Sequence, residues 1–456
     1  MSSEWAGRRV TVVGLGRSGL AAATLLCRAG ARVSVTEAGD NPVLRASADA
    51  LRGLGLHRAE LGRHTAPMIE GADLVIASPG VPDTDGPLAW ASARGIPVIS
   101  EVELAWRFCP SPVVGVTGTN GKSTVVTLIA EIAKAAGRPA VACGNLGYPF
   151  SAALEHLTPE SLAVVEVSSF QLLCCERFRP SIGVLLNIGS NHLDRHGDLA
   201  AYLAAKARLF QRQTQEDWAV VNGADPAIVS ISGRLRARRV WFGDNRSNAA
   251  QFRIAPQTER VLTPNLQAVL QVARLLGVPD PLAWQVIRSF RGLEHRLEHL
   301  RTVRGVRFVN DSKSTSPDST LYALTQTPGE VVVIVGGRDK GSKFEPLFAR
   351  LDDPRVRGII LMGESRRRLR LLLNGSTRVR EADSLPAAVD AASRLAGPGS
   401  TVLFSPACAS FDMFRDFEDR GRAFKSLILK LDQGSGIRDQ GSRQPPTPNP
   451  EPRTAR

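Results

Sequence analysis

The segment from residue 114 to residue 136 constrains the fold of this chain more than any other. An apolar run ends in glycines, a lysine and two hydroxyl residues, and a helical pattern follows through Ala136. This order predicts a strand, a tight loop and a helix N-terminus, where backbone N–H groups and the helix dipole face one anion. The loop consists of Gly118, Thr119, Asn120, Gly121, Lys122, Ser123 and Thr124.

The side chains of this loop suit a nucleotide triphosphate. Lys122 would reach the outer phosphates, and Ser123 or Thr124 would contact Mg²⁺. The strict phosphate-loop pattern has a glycine six residues before the lysine, where this chain has Val116, so the loop is of a variant type. A glycine-rich turn with a chance lysine is the weaker interpretation, because a strand and a helix flank the loop.

A second glycine-rich turn follows the strand pattern 10–13, and the acidic residue Glu37 ends the next strand pattern. Such a turn holds a diphosphate at a helix N-terminus, with the acid near a ribose or base. Taken alone it suggests an NAD enzyme. Two phosphate sites in one chain fit better with a nucleotide-diphosphate substrate and an ATP. The turn consists of Gly14, Leu15, Gly16, Arg17, Ser18 and Gly19.

Strand and helix patterns alternate along three blocks, which predicts an α/β fold with parallel sheets covered by helices. We expect three domains: a Rossmann-like domain over 1–110, a central phosphate-loop domain over 111–289 and a Rossmann-like C-terminal domain over 290–432. The proline-rich segment 433–456 cannot bury enough apolar surface to offset its ordering entropy, so we expect it to be disordered.

Polar residues follow several predicted strands, whose carboxyl ends meet at one edge of a parallel sheet. The turn of Ser78, Pro79 and Gly80 would border the crevice of the first block, unless it is a plain turn. Glu166 ends an apolar strand beside the phosphate loop and is a natural Mg²⁺ ligand. The loop 192–197 holds two histidines, an aspartate and an arginine, which favours a functional role. Lys206 lies among small residues, and periodicity alone would leave it a solvated lysine.

Three polar loops follow strands of the third block. They cover residues 310–315, 336–340 and 405–412. Each taken alone is compatible with a turn, but loops at the same ends of parallel strands converge on one crevice.

Composition excludes some classes of protein. The formal charge is +13, but the arginines are spread along all 456 residues and only 5% of residues are aromatic, which favours anionic small molecules over nucleic acid. The six cysteines show no C-x-x-C spacing and indicate a reduced, cytosolic protein. No apolar stretch approaches the length of a membrane span, so we expect a cytoplasmic protein without membrane insertion. We also expect a monomer.

The motifs, taken in order, resemble those of the Mur ligase family of peptidoglycan synthesis. The resemblance covers roughly residues 8–431. Segments 310–313 and 405–412, with Phe417 and Arg420, resemble the branch that adds D-glutamate. The other matching segments are 118–124, 166–171, 192–196 and 292–298.

This resemblance implies an ATP-dependent ligase of cell wall synthesis, and hence of cell shape and division. It would join D-glutamate to UDP-N-acetylmuramoyl-L-alanine through an acyl phosphate. Two Mg²⁺ ions are implied, one on Ser123 and Glu166 and one on His192 and Lys206, the lysine being carbamylated by CO₂. The implied catalytic residues are Lys122, His192, Lys206 and Lys313. The implied ATP-binding residues are the loop 118–124, Asn265, Arg296 and Asp311.

The resemblance also assigns the two other substrates. The UDP substrate would be bound by the turn Gly14–Gly19, Glu37, Ser78, Pro79, Gly80 and Asn145. D-Glutamate would be bound by Thr315, Lys340, Ser410 and Phe417. Because the acyl phosphate hydrolyses readily, we expect the third block to close over the site, with a hinge at 289–292.

Three departures from the family pattern bear on the site, and one is Glu37, which stands where the family usually has an aspartate. Val261 and Leu262 stand where a His-Asn pair usually precedes the match to Asn265, and Asn191 stands in place of an aspartate. The alternatives are therefore another Mur-type amino-acid ligase, or a nucleotide-binding relative without catalysis. A dehydrogenase is supported only by the turn Gly14–Gly19.

Overall fold

The computed structural model describes residues 4–78, 81, 86–189, 193–243, 264–339, 342–373 and 378–431. The chain divides into two compact units, Met1–Phe290 and Arg291–Arg456. The three-domain division at residues 110 and 289 remains a prediction. Several residues named above lie outside the described ranges: Pro79, Gly80, Asn191, His192, Val261, Leu262, Lys340 and the tail 433–456.

The first sheet lies in the N-terminal part of the first unit. Its strands are β1 (Arg9–Val13), β2 (Arg32–Glu37), β3 (Arg58–Leu61), β4 (Leu74–Ala77) and β5 (Val98–Ser100). They run parallel in the order β3-β2-β1-β4-β5, so the strand order reverses beside β1 and opens a crevice at the carboxyl ends of β1 and β4. Its helices are α1 (Arg17–Arg28), α2 (Pro42–Arg52), α3 (Gly86–Ala93) and α4 (Glu101–Phe108).

The second sheet belongs to the same unit. Its strands are β6 (Val113–Thr117), β7 (Ala140–Gly144), β8 (Leu162–Glu166), β9 (Ile182–Leu185), β10 (Trp218–Asn222) and β11 (Arg238–Phe242). They are parallel in the order β11-β10-β9-β6-β8-β7. Its helices are α5 (Lys122–Ala135), α6 (Phe150–Ala153), α7 (Ser169–Leu173), α8 (Leu193–His196), α9 (Leu199–Ala207), α10 (Pro226–Ser232), α11 (Pro264–Leu275) and α12 (Asp280–Ser289).

The third sheet forms the second unit. Its strands are β12 (Glu298–Val303), β13 (Val306–Asn310), β14 (Val331–Gly336), β15 (Val356–Met362), β16 (Val379–Glu381) and β17 (Thr401–Phe404). Their order is β12-β13-β17-β14-β15-β16, and only the β12–β13 pairing within this sheet is antiparallel. Its helices are α13 (Pro317–Gln326), α14 (Glu345–Leu351), α15 (Arg366–Leu372), α16 (Leu385–Leu395) and α17 (Phe417–Lys430).

Burial on both faces explains why the central strands are apolar throughout. Every residue of β6, β8 and β14 is buried, because helices cover both sides of a parallel sheet. Helix α5 packs Val125, Ile129 and Ile132 into the core of the second sheet. The predicted α/β class with three sheets is confirmed.

The main departure from the predicted all-parallel pattern is the hairpin of β12 and β13. Val303 pairs with Val306, and the two residues between them, Arg304 and Gly305, have φ of 49° and 78°. Two-residue turns with positive φ match the twist of paired antiparallel strands. The described residues include no helix that is both long enough and apolar enough to cross a membrane.

Candidate active site

The phosphate loop joins the end of β6 to the start of α5, as its sequence predicts. Two of its glycines are required by close packing. At Gly118, with φ of 152°, a Cβ would lie 2.9 Å from the Leu186 Cβ. At Gly121, with φ of 84°, it would lie 2.2 Å from Nδ2 of Asn265. Asn265 therefore lies directly against the loop, although 144 positions separate it from Gly121 in the chain (265 − 121).

Two lysine ammonium groups contact carbonyl oxygens of this loop. Lys122 Nζ lies 2.9 Å from the Gly118 carbonyl oxygen and 2.8 Å from that of Thr119. Lys206 Nζ lies 2.9 Å from the same Gly118 oxygen and 4.5 Å from the centre of the Tyr202 ring. Lys206 is only 2% exposed, so the alternative of a solvated surface lysine is wrong.

Burial changes the proton affinity of Lys206. Removal from water disfavours the ammonium form and, with the nearby charge of Lys122, lowers the pKa of Lys206 well below its usual value. The carboxylate of Glu166 acts in the opposite direction and does not offset the burial. At a given pH, a larger fraction of Lys206 is therefore in the neutral amine form than of a solvated lysine.

Ser123 and Glu166 bring a hydroxyl and a carboxylate together beside the loop. Ser123 Oγ donates to Glu166 Oε2 at 2.5 Å, and both residues are buried. Asn145 Nδ2 donates to Glu166 Oε1 at 3.0 Å, so Asn145 lies at the edge of the phosphate-loop site. This donor set fits Mg²⁺, which takes oxygen ligands and usually only one or two from protein when phosphates supply others. Within the described ranges no three His, Cys, Asp or Glu side chains form a metal-binding group.

Asn187 is a site residue to which the sequence assigned no role. It follows β9, the neighbour of β6, and its side-chain amide bonds to the backbone of Asn120 through both its oxygen and its nitrogen. A polar residue just after a strand next to the phosphate-loop strand was the available signal. Its amide geometry emerges only when residues 67 positions apart are brought together.

The described side chains of the loop 192–197 are occupied by packing. His196 stacks on Phe170 with ring centres 4.9 Å apart and contacts Ser169 Oγ through Nε2 at 3.0 Å. The guanidinium carbon of Arg195 lies 3.9 Å from the centre of the same Phe170 ring. This cluster ties α8 to the motif 166–171. The position predicted as a metal ligand, His192, lies outside the described residues.

The N-terminal glycine turn has the close packing expected of a diphosphate-binding turn. A Cβ at Gly19 would lie 1.8 Å from the Gly14 carbonyl oxygen, whereas one at Gly16 would meet nothing within 4 Å. Glu37 accepts hydrogen bonds from the backbone N–H of Leu15 at 2.7 Å and of Gly39 at 2.9 Å. The Glu37 carboxylate thus also holds the turn itself.

Hydrogen bonds join this turn to the segment after β7 and to the end of β4. Arg17 Nη1 donates to the Gly147 carbonyl oxygen at 3.1 Å, close to Asn145 in the chain. Ser78 Oγ donates to the Gly14 carbonyl oxygen at 3.3 Å. Ser78 also lines a small, mainly apolar cavity together with residues of the motif 166–171. Glu37 and Ser78 thus bond to the turn Gly14–Gly19, and Arg17 joins the turn to the segment that holds Asn145.

In the second unit the three predicted loops do converge. They follow β13, β17 and β14, which are adjacent in the sheet. Ser405 Oγ and Ser314 Oγ both donate to Asp311 Oδ2, at 2.7 and 2.6 Å. Backbone bonds in both directions pair Arg338 with Ala409. The prediction that these loops share one crevice is consistent with this arrangement.

Two buried ionisable groups organise these loops. Burial raises the pKa of Asp311 to about 6, against the hydrogen bonds that it accepts. Arg420 is 1% exposed and donates to Ser312 Oγ and the Ser312 carbonyl oxygen, at 3.0 and 2.8 Å, and to the Cys408 carbonyl oxygen at 3.0 Å. Burial lowers the pKa of Arg420 to about 10. Arg420 thus joins the loops after β13 and β17.

The remaining predicted residues of this unit lie on or next to the same loops. Lys313 Nζ is 5.6 Å from the centre of the Phe417 ring, which begins α17. Ser410 is buried and Thr315 is half-buried. Arg296 is half-buried between two residues with positive φ, His295 at 62° and Leu297 at 44°.

Comparisons with known proteins identify the family of the chain. Three family models match: the Mur ligase MurD-like N-terminal domain over residues 8–100, the Mur ligase middle domain over 116–272, and the Mur ligase glutamate ligase domain over 295–408.

Whole-chain relatives were also found. The chain is 40% identical to the UDP-N-acetylmuramoylalanine--D-glutamate ligase of Geotalea uraniireducens, over 95% of this chain and 100% of the relative. It is 38% identical to the enzyme of the same name from Desulfosudis oleivorans, over 95% of this chain and 99% of the relative. Its fold is similar to that of the alanine ligase MurC from Thermotoga maritima, with a TM-score of 0.56 and 18% identity over 92% of this chain and 99% of that chain. By these matches, and by the order of its motifs along the chain, the protein belongs to the Mur ligase family.

Proposed function

We propose that this protein is an ATP-dependent ligase that joins D-glutamate to UDP-N-acetylmuramoyl-L-alanine. The observation that carries the proposal is the phosphate loop in contact with Glu166 through Ser123, in a chain that matches D-glutamate ligases along almost its whole length. A dehydrogenase is not supported, because the phosphate loop 118–124 and the relatives both favour ATP chemistry.

The nucleotide would lie on the loop 118–124. Backbone N–H groups at the start of α5 and the ammonium of Lys122 would bind its phosphates. Asn265, which lies against Gly121, would border the base. Ser123 and Glu166 would hold a Mg²⁺ ion, which supplies positive charge to the phosphate oxygens. We also assign Arg296 and Asp311 to ATP.

The reaction needs an activated carboxyl group, because a carboxylate is a poor acylating agent. A carboxylate oxygen of the muramoyl-L-alanine attacks the γ-phosphorus, the bond to the β-phosphate breaks, and ADP leaves. Lys122 would stabilise the charge that develops on the transferred phosphoryl group. The amine of D-glutamate then attacks the acyl carbon, loses a proton and expels inorganic phosphate, with Lys313 near the reacting centre.

The other substrates would occupy the two remaining crevices. We assign the UDP substrate to the turn Gly14–Gly19, Glu37, the segment 78–80 and Asn145. D-Glutamate is assigned to Thr315, Lys340, Ser410 and Phe417, on or near the loops that Arg420 and Asp311 hold together. We also propose that the enzyme acts in the cytoplasm, because its proposed reaction consumes ATP.

We further propose that Lys206 is carbamylated and, with His192, holds a second Mg²⁺. The neutral amine attacks CO₂, forms an N–C bond and loses a proton, which gives an N-carboxylate. The lowered pKa of Lys206 supports this step, because only the neutral amine is a nucleophile. Protein equilibrated with ¹³C-bicarbonate should show a carbamate signal by NMR that is missing in Lys206→Met. Identical spectra would disprove the modification.

The function is tested by phosphate release from ATP with UDP-N-acetylmuramoyl-L-alanine and a panel of amino acids. We expect release only when both the UDP substrate and D-glutamate are present. Lys122→Ala should lower the rate by about 10²-fold or more while UDP-substrate binding persists. Release with another amino acid would overturn the substrate assignment. Binding of the UDP substrate without any release would indicate a non-catalytic relative.

A further inference from the structure

The backbone of the phosphate loop is held at Asn120 by the side chain of Asn187. Asn187 Oδ1 accepts the N–H of Asn120 at 2.8 Å, and Asn187 Nδ2 donates to the carbonyl oxygen of Asn120 at 3.1 Å. The Asn187 carbonyl oxygen also accepts the N–H of Thr119 at 2.9 Å. The amide of Asn187 therefore pairs with Asn120 as a backbone peptide of a neighbouring strand would.

This pairing extends the β6–β9 ladder past the ends of both strands. Thr117 is opposite Leu185 in the sheet, and the Leu186 N–H donates to the Thr117 carbonyl oxygen at 3.0 Å. Beyond Asn187, the Gly189 N–H donates to Thr119 Oγ1 at 2.8 Å. The first half of the loop is thus fixed to the segment after β9, and the second half is fixed by α5.

The bond to the Asn120 carbonyl oxygen determines how the next peptide is oriented. In a trans peptide the C=O and the following N–H point in opposite directions. With its oxygen held by Asn187, the Asn120–Gly121 peptide directs the Gly121 N–H away from Asn187. Gly121 has φ of 84°. Because glycine adopts many backbone conformations at low cost, its own φ and ψ do not fix the orientation of this peptide. The Gly121 N–H donates to none of the residues that the structure describes.

We propose that Asn187 is a positioning residue of the nucleotide site: its side-chain amide fixes the Asn120–Gly121 peptide so that the Gly121 N–H, and not the Asn120 carbonyl oxygen, faces the phosphates. A carbonyl oxygen turned towards a phosphate would repel it, whereas an N–H stabilises it. The primary amide of Asn187 supplies the acceptor and the donor that Asn120 requires on two separate atoms, as a backbone peptide does. The inference rests on the proposed use of the loop 118–124 for ATP.

The test compares Asn187→Asp and Asn187→Leu with a matched control, Asn222→Asp. Asn222 ends β10 at the same edge of the sheet and donates to the Leu186 carbonyl oxygen at 2.9 Å, but makes no bond to the loop 118–124. Both aspartate variants lose one donor to a backbone carbonyl and gain one charge. Asn187→Leu removes both bonds without adding charge.

We expect each Asn187 variant to weaken ADP binding by about tenfold or more, as loss of roughly 1.4 kcal/mol from the loop implies. The KM for ATP should rise while the KM values for the UDP substrate and D-glutamate stay within about twofold. Asn222→Asp should leave ADP binding unchanged. UDP-substrate binding by every variant verifies that it is folded.

The outcomes separate this inference from the proposed function. Wild-type protein that binds no ADP would refute the nucleotide site as a whole. Wild-type binding with unchanged affinity in both Asn187 variants would refute the role of Asn187 alone. Equal losses in Asn187→Asp and Asn222→Asp would mean a general loosening of the sheet edge, and would also refute it.

Discussion

Lys206 shows how strongly burial decides the chemistry of one residue. Its neighbours on α9 are small and apolar, and the sequence gives no sign that its amine lies on the phosphate loop. In the structure that amine is nearly inaccessible to water and lies against the Gly118 carbonyl oxygen. Resemblance to a known family was therefore the only sequence signal that singled it out.

We expect the burial of Lys206 to make the free energy of unfolding rise with pH in the alkaline range. Its pKa in the folded protein is lowered from 10.5, so between the folded and unfolded values the unfolded chain binds more protons. The free energy of unfolding should then rise with pH in this window, by about 1.4 kcal/mol for each unit of pKa difference. Lys206→Met should show a flatter rise. Urea unfolding of both proteins from neutral pH to about pH 10, in CO₂-free buffer, measures this dependence. If the two proteins gain stability equally with pH, the lowered pKa of Lys206 is contradicted.

The raised pKa of Asp311 predicts the opposite dependence at acid pH, a free energy of unfolding that falls as pH rises. Its folded pKa of about 6 lies above the ordinary 3.8, so between these values the folded state binds more protons. Stability should fall as pH rises through this window, by roughly 3 kcal/mol at most. In Asp311→Asn this fall should be absent. Hydrogen exchange of the β17 amides in urea would report it, and an equal fall in the variant would assign the effect to another group.

At the scale of single elements, the sequence predicted what burial imposes. Strands such as β6 and β14 are continuous apolar runs because both faces are covered, and they end within one residue of the start of the loops predicted to follow them. Strand β12 was missed because it lies at the sheet edge with mostly exposed or half-buried residues, including Glu298, His299 and Arg301. Its sequence therefore lacks the continuous apolar run that identifies a buried strand.

The N-terminal turn offers a prediction with its own control. Gly19→Ala would place a Cβ 1.8 Å from the Gly14 carbonyl oxygen, and separating them should cost about 2 kcal/mol or more of stability. Gly16→Ala has open space and no positive φ, so its stability should change little. Its methyl group would instead project where a diphosphate approaches, and UDP-substrate affinity should fall. Thermal unfolding and substrate titration of both variants would decide, and equal unfolding temperatures would contradict the packing argument.

For the whole molecule, the apolar cores divide between the two units. Each of the six clusters of buried apolar residues consists of residues from one unit only, among those described. The three sheets and their α/β class were predictable from alternating strand and helix patterns. Contacts such as Asn265 with Gly121 were not, because nothing local in the chain joins positions so far apart.

We therefore expect a fragment of residues 1–290 to fold alone. It contains the first two sheets and all residues assigned to the UDP substrate, but none assigned to D-glutamate. It should bind the UDP substrate with affinity within about tenfold of the whole chain and release no phosphate. Circular dichroism and substrate titration measure this. A fragment that remains unfolded would show that the second unit is needed for the stability of the first.

The two lysines on the Gly118 carbonyl oxygen have a consequence for the speed of nucleotide capture. The loop is already internally bonded through Lys122, Lys206 and Asn187, so an arriving nucleotide need not wait for it to order. Association should then be fast and nearly the same among loop variants that keep these bonds. Differences in affinity would appear in how long the nucleotide stays bound.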